Sequence, residues 1–154
     1  KLFKSLSADL NPKADPILTQ IGGLIRTSTL FNLYKQERWG PLLETIRSQR
    51  DTLHIEIRCE GHTDDKPIPM NSKFNSNWEL SSARSLNLVK RLSELAEMDQ
   101  RYFSALGYGE YRPKIKTKRI KDKSKLEEAR AENRRVEIYF DAFRKPLEVY
   151  SEDI

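Results

Sequence analysis

The sequence has a single cysteine, Cys59, and only two histidines, His54 and His62. One cysteine cannot form an intramolecular disulfide, and a cysteine-based zinc site needs more than one. No apolar run approaches the roughly 18 residues that cross a bilayer. No G-x-S-x-G motif is present, so the nucleophile elbow of many hydrolases is missing. These absences argue against a disulfide scaffold, a zinc-cysteine module and a serine hydrolase.

The composition is that of one solvated, basic domain. The chain has 154 residues, 33% of them charged, and a net charge of +5. This length fits one domain with short extensions. The positive balance suits an acidic partner such as nucleic acid, anionic lipid or an acidic glycan, and the charge alone does not choose among them. The first residues show no signal-peptide pattern, and a chain that begins at Lys1 is expected to be a processed product or part of a longer protein.

The first third of the chain is predicted to contain an arm, a strand and a helix. Residues 1–20 include Pro12 and Pro16, each of which biases its predecessor away from helix, so we interpret them as a linker or arm. Apolar residues alternating with threonines over residues 24–31 predict a first strand. An i, i+3, i+4, i+7 apolar pattern from Trp39 to Ile46 predicts a helix.

The rest of the chain completes a β-α-β-α-β order, followed by a short helix and a last strand. The alternation of Leu53, Ile55, Ile57 and Cys59 with polar residues predicts a half-buried strand. Further elements are predicted as a helix from about Ser76, a strand at 102–106, a short helix at 126–134 and a strand at 136–140. The order predicts an α+β domain over residues 21–142, with a mixed four-stranded sheet and helices packed on it. Residues 143–154 are expected to be a tail.

Four blocks stand in order along the sequence: Gly61-His62-Thr63-Asp64-Asp65, Ser76 to Arg84, Gly107-Tyr108-Gly109-Glu110 with Arg112-Pro113, and Asn133 to Ile138. In order and spacing they resemble the C-terminal peptidoglycan-binding domain of the OmpA family. The Asn-Trp-Glu-Leu-Ser segment in the second block is most similar to MotB-type motor stator subunits. The resemblance covers residues 24–141. Two features depart from the family: Ser85 follows Arg84 where alanine is usual, and the segment between Pro113 and Asn133 is long and basic.

The resemblance implies a βαβαβ-β fold that binds the diaminopimelate of the peptidoglycan peptide stem without catalysis. It implies that Asp64 and Arg84 hold the ligand. Asn77, Leu80 and Arg134 fall on motif positions that line or support the pocket, whereas Arg135 is assigned to the surface. We expect no catalytic residue, no metal site and no cofactor.

The chemistry of diaminopimelate agrees with an acidic and a basic pocket residue. The ligand carries an ammonium and a carboxylate on one carbon, so its receptor needs one anion and one cation close together. The planar fork of an arginine such as Arg84 suits the carboxylate. Without the resemblance, Asp64 would be interpreted as a turn residue and Arg84 as a surface ion-pair partner. The four ordered blocks favour the pocket.

Three other features have local interpretations. His62 invites a metal or catalytic role, but a metal site would have to combine one histidine with carboxylates, so we expect His62 to orient its loop by hydrogen bonding. Trp78, at a helix start, is expected to be a packing residue. The basic residues from Arg112 to Lys125 predict a mobile, solvated loop, or attraction to an anionic wall or membrane surface.

The resemblance also implies a cellular setting. We expect a periplasmic anchor, tethered to the inner membrane by an upstream transmembrane helix, that forms a homodimer and pairs with a channel partner in an ion-driven stator. The same anchor in a Zorya-type phage-defence complex, or in an outer-membrane protein or lipoprotein, is the alternative. A basic nucleic-acid-binding module is the alternative from another class, and the basic stretch lacks the aromatic interleaving that it needs.

Overall fold

The computed structural model describes residues 2–3 and 6–147, apart from the side chain of Tyr34. Short 3-10 helices lie at Pro12–Ala14, Thr29–Lys35, Glu37–Trp39 and Gln100–Tyr102. The predicted tail lies outside the described residues from position 148 onward. The main elements are α1 (Asp15–Thr27), α2 (Gly40–Ser48), β1 (Asp51–Gly61), α3 (Asn77–Ala96), β2 (Phe103–Gly107), α4 (Lys123–Asn133) and β3 (Val136–Pro146).

The strands form one mixed sheet in the order β2-β1-β3. β1 runs parallel to β2 and antiparallel to β3. At the carboxyl end of β1, Gly61 pairs with Gly107 of β2 on one side and with Val136 of β3 on the other. The α+β class with a mixed sheet and packed helices is confirmed. The described residues, 2–3 and 6–147, form three strands and not the predicted four.

The missing strand is a correction. Residues 24–31 were predicted to be extended, yet they fall in α1 and in the following 3-10 helix. Pro16 lies in the first turn of α1. A proline is tolerated there because backbone N–H groups in the first turn have no partner within the helix, and the fixed φ of proline suits a helix. The threonines looked like strand residues because β-branching favours strands, but Leu18, Gly22 and Ile25 form one buried stripe along α1. Packing of that stripe outweighs the local preference.

The core lies between the sheet and α3, with α1 packed on α3. Ile57 and Cys59 point from β1 into this core, and neither is exposed. Burial raises the pKa of the Cys59 thiol to about 12, so the group stays protonated and acts as a small apolar side chain. The α3 residues in the core are Leu88, Val89, Leu92 and Ala96, and Leu95 packs against them. Helical spacing in the sequence predicts these five residues on one apolar arc.

The other predicted elements are present, several with longer bounds. α4 begins at Lys123, and β3 continues to Pro146. Helix α1 crosses the predicted boundary between residues 20 and 21, and the domain limits themselves stay a prediction. Among residues 2–3 and 6–147, no helix combines the length and apolar composition needed to cross a bilayer.

Two neighbouring glycines in α1 test its helical assignment. A Cβ at Gly22 would lie 2.6 Å from the Leu95 Cβ, whereas a Cβ at Gly23 would meet nothing within 4 Å. Gly22→Ala should therefore lower the free energy of unfolding by about 1–3 kcal/mol through overpacking. Gly23→Ala should raise it by roughly 0.5–1 kcal/mol, because alanine favours a helix interior. Chemical denaturation measures both, and equal effects of the two variants would contradict the packing of α1 on α3.

Candidate functional site

All five residues proposed for binding line one cavity of about 440 Å³ at the carboxyl end of β1. Three different parts of the fold supply them. Asp64 follows β1, and Arg134 lies directly after α4. The other three residues, Asn77, Leu80 and Arg84, lie on the first two turns of α3. The structure thus brings together side chains that are up to 70 positions apart in the chain.

Close approach of α3 to the sheet positions its part of the cavity. A Cβ on Gly61 would lie 2.4 Å from the Ser81 carbonyl oxygen, and one on Gly107 would lie 2.4 Å from the Ser82 backbone nitrogen. These two glycines are paired across β1 and β2. Because neither has a side chain, the start of α3 can rest directly on the strand ends, next to the loop that carries Asp64.

Asp64 forms an ion pair with Arg134. The Asp64 side chain is 10% exposed and the Arg134 side chain 32%. The other carboxylate oxygen, Oδ1, accepts a hydrogen bond of 3.1 Å from the Lys66 backbone N–H. The carboxylate is therefore held at the cavity wall by a turn and a cation, and both interpretations of Asp64, as turn residue and as pocket residue, describe real contacts.

Arg84 is 7% exposed, so it is no ordinary surface ion-pair partner. Its Nε donates a 3.0 Å hydrogen bond to the Ser7 carbonyl, and its guanidinium lies 5.2 Å from the centre of the Phe3 ring. Burial lowers the pKa of Arg84, while the nearby Asp64 carboxylate raises it and Arg134 lowers it. An arginine side chain remains charged even when it is buried, so the cavity holds a cation that is poorly solvated.

Asn77 and Leu80 support the cavity in different ways. The Asn77 amide donates to the Lys66 carbonyl at 3.0 Å and also contacts the Glu110 carboxylate. It therefore ties the loop after β1 to the start of α3. Leu80 is 3% exposed and supplies apolar wall.

The N-terminal segment was not predicted to reach this site. Leu2, Phe3 and Leu6 line the cavity. Two hydrogen bonds secure the segment: the Asn11 N–H donates to the Leu2 carbonyl at 2.8 Å, and the Asn87 amide of α3 donates to the Ala8 carbonyl at 2.9 Å. No periodicity or motif in residues 1–20 pointed to this contact, because it depends on where α3 lies.

Arg135 is a further correction. It was assigned to the surface because alternation would send it away from Arg134. In the structure it precedes β3, lines the cavity and is 20% exposed at its side chain. Its guanidinium bonds Glu137 at 2.6 Å and the Arg112 carbonyl at 3.3 Å. The two arginines do point to different sides, since Arg134 pairs with Asp64 whereas Arg135 contacts Glu137 on the face of the sheet opposite α3.

His62 was expected to orient its loop by hydrogen bonding, but its side chain forms no hydrogen bond with the described residues. Its side chain is 2% exposed, and neither ring nitrogen has a hydrogen-bond partner among the described residues. The ring stacks on Tyr108 at 5.4 Å between centroids. Trp78 packs only partly: it is 47% exposed and stacks on the Tyr111 ring at 5.2 Å.

The basic stretch is solvated but has specific attachments. Its lysines are exposed. The Asn133 side chain bonds both backbone groups of Ile115, at 2.8 and 2.9 Å, and the Thr117 hydroxyl donates to Asp65 at 2.8 Å. Lys123 and Lys125 belong to α4. The stretch is therefore an anchored loop that presents positive charge beside the cavity.

Comparison with known proteins supports the resemblance. No family model matches the chain. Motility protein B of Bacillus subtilis is 46% identical over 82 residues, which are 53% of this chain and 28% of that protein. The uncharacterized protein YtxE of the same organism is 37% identical over 97 residues, which are 63% of this chain and 37% of that protein.

Solved structures agree. A MotB-like protein from Desulfovibrio vulgaris has a TM-score of 0.63 at 27% identity, covering 91% of this chain and 69% of that one. In sequence and in fold, the chain is similar to MotB-type domains. The cell wall anchor of the T6SS from Pseudomonas aeruginosa has a TM-score of 0.57 at 26% identity, covering 89% of this chain and 72% of that one. The chain spans about a third of the length of the two curated relatives.

Proposed function

We propose that this domain is a non-catalytic wall anchor that binds the diaminopimelate of the peptidoglycan peptide stem. The observation that carries the proposal is the cavity in which Asp64, Arg84 and Arg134 converge. The similarity to motility protein B and to a cell wall anchor supports the same function.

The charges in the cavity suit a zwitterion. The Asp64 carboxylate would accept the ligand ammonium, and the Arg84 guanidinium would bind the ligand carboxylate through two parallel N–H groups. Arg134 already neutralises part of the Asp64 charge and would contribute to the same carboxylate. Because the Asp64 and Arg84 side chains are buried, these contacts are stronger than they would be at an open surface.

The lining residues favour binding over chemistry. No histidine, cysteine or serine is among the described residues that line the cavity. A hydrolase of the peptide stem would need an activated nucleophile or a metal-bound water there. The domain is therefore proposed to hold the wall and leave it intact.

We infer the cellular setting from the relatives. A periplasmic domain tethered to the inner membrane, which dimerises and pairs with a channel partner, would act as the fixed part of a MotB-like stator. The similarity to the T6SS anchor makes a wall anchor of another machine the second candidate, and a Zorya-type complex is a third. The anchored basic loop would attract the anionic wall over about 8 Å at physiological ionic strength. Nucleic acid is not a proposed partner.

Pelleting with purified sacculi tests the proposed function. The domain should sediment with diaminopimelate-containing sacculi, and the supernatant should contain no released muropeptides. A soluble diaminopimelate-containing stem peptide should compete for binding, whereas a lysine-containing stem peptide should compete poorly. Steady release of fragments would show an enzyme. Binding to DNA and not to sacculi would favour the alternative that the domain is a nucleic-acid-binding module.

Phe3 tests how the ligand reaches Arg84. The Phe3 ring and the Ser7 carbonyl both contact the Arg84 guanidinium, which the ligand carboxylate would bind. Phe3→Ala should therefore strengthen sacculus binding at least severalfold, since a cation-π contact is worth about 0.5–1 kcal/mol at an exposed site and about 2 kcal/mol when desolvated. Leu6→Ala, which shortens another apolar side chain that lines the cavity, is the control. Weaker binding by Phe3→Ala would show that this ring is part of the binding surface.

A further inference from the structure

A second polar cluster lies on the opposite face of the sheet from α3. Glu60 of β1 and Glu137 of β3 are direct cross-strand partners, and His62 follows on the same face. The His62 Nε2 lies 3.9 Å from Oε2 of each carboxylate. One ligand atom from each of the three residues can be chosen so that all lie within 4.8 Å of one another.

The arrangement is costly without a further partner. Like charges directly opposite each other destabilise a strand pair. A buried imidazole without a hydrogen bond also loses solvation that it does not regain. His62 is 2% exposed, and its ring nitrogens have no hydrogen-bond partner among residues 2–3 and 6–147. Its Nε2 nevertheless faces both carboxylates.

Two arginines hold the outer oxygens of the carboxylates. Arg58 Nε bonds Oε1 of Glu60 at 2.8 Å, and Arg135 Nε bonds Oε1 of Glu137 at 2.6 Å. The two Oε2 atoms are left turned toward His62, although the Tyr139 hydroxyl also donates to Oε2 of Glu137. This is the pattern in which outer-shell contacts orient metal ligands.

The charges in the cluster permit a cation. Arg58 is shared with the Asp141 carboxylate, so it does not fully offset Glu60. The Cys59 thiol belongs to the opposite, core face of β1 and cannot take part.

We propose that Glu60, His62 and Glu137 form a site for one divalent transition-metal ion of the zinc type. Metal–ligand bonds of about 2.0–2.2 Å place tetrahedral ligands roughly 3.4 Å apart. The His62 Nε2 now lies 3.9 Å from each carboxylate and all three atoms lie within 4.8 Å of one another, so the side chains would close by about 0.5 Å to at most about 1.4 Å around the ion. One imidazole nitrogen with two carboxylates suits zinc better than magnesium or calcium, which prefer oxygen ligands alone. The Glu137 side chain is 31% exposed, which leaves room for a water as the fourth ligand.

The ion would join β1 to β3 just before the loop that carries Asp64. Its proposed role is structural, and it does not depend on the proposed peptidoglycan function because none of Glu60, His62 and Glu137 lines the ligand cavity. A bound ion would raise the thermal stability of the domain, since it binds the folded state only.

Calorimetric titration of the metal-free domain with zinc chloride tests the site, with thermal melts in parallel. One zinc ion should bind per chain and raise the melting temperature, whereas magnesium and calcium chlorides should do neither. Glu137→Gln should weaken zinc binding by about tenfold or more, as loss of even an outer-shell contact does. His62→Gln should abolish zinc binding. Because His62 is buried and its variant could unfold, Glu137→Gln is the deciding variant.

Two matched controls lie on the same face of β1. His54→Gln removes the other histidine, and Glu56→Gln removes a carboxylate outside the cluster. Both should bind zinc like the unaltered domain. Absence of zinc binding, or binding that survives Glu137→Gln but is lost in His54→Gln, would overturn the proposal.

Discussion

Arg84→Ala is expected to weaken binding to peptidoglycan sacculi by about tenfold to a hundredfold, because a charge-assisted hydrogen bond is worth roughly 1.5–3 kcal/mol. The guanidinium is 7% exposed and shares its cavity with Asp64. The fold should persist, since the contacts that the structure describes for it are one hydrogen bond to Ser7 and the stacking on Phe3. Pelleting at a series of sacculus concentrations measures the affinity, and a thermal melt confirms the fold.

Arg91→Ala is the matched control for this effect. Arg91 lies two turns later on α3 and bonds both Asp15 oxygens, at 2.8 and 2.9 Å. It does not line the cavity. Its loss removes a similar charge from the same helix, so the variant should bind sacculi normally. Equal losses in both variants would mean that overall charge, and not the cavity, drives wall binding.

Asp64→Asn is expected to reduce both stability and wall binding. The substitution removes the carboxylate that pairs with Arg134 and leaves Arg84 and Arg134 in the cavity without that anion. Breaking a fully buried pair costs about 3–5 kcal/mol, and the partial exposure of Arg134 lowers our expectation to roughly 1–3 kcal/mol. Chemical denaturation measures the stability, and the loss of the ammonium partner should also remove most sacculus binding.

The neighbouring Asp65 provides an exposed ion pair with which the effect of Asp64→Asn on stability can be compared. Its side chain is 39% exposed and pairs with Arg130. Arg130 and the Thr117 hydroxyl hold the pKa of Asp65 below its ordinary value. As an exposed pair it contributes about 0–1 kcal/mol, so Asp65→Asn should be mild. The double variant Asp64→Asn/Arg134→Gln should regain part of the lost stability. A double variant as unstable as the sum of its parts would show that the two side chains are not coupled.

Much of the fold could be predicted because its patterns are local. Alternation along β1 and the apolar arc of α3 each depend on residues within one element, and both elements are present. The first strand could not be predicted correctly. The threonines near Thr27 carry a strand preference, whereas the decisive contact, Gly22 against Leu95, joins two helices far apart in sequence.

The candidate site also has a part that local sequence patterns predicted and a part that they did not. The four motif blocks identified Asp64, Asn77, Leu80, Arg84 and Arg134, and all five line one cavity. Their role as ligand contacts stays a prediction. Nothing local indicated that Phe3 would stack on Arg84, that Arg135 would be partly buried beside Glu137, or that His62 would face two carboxylates.

The sequence by itself determined which side chains stand at the end of β1 and on the first turns of α3, because strand and helix periods place residues without reference to the rest of the chain. Only the tertiary structure decided their partners. The Asp64–Arg134 pair spans 70 positions, and the Arg84–Ser7 hydrogen bond spans 77. Such contacts form where packing of α3 on the sheet brings distant segments together, and a pattern within a short window carries no information about that distance.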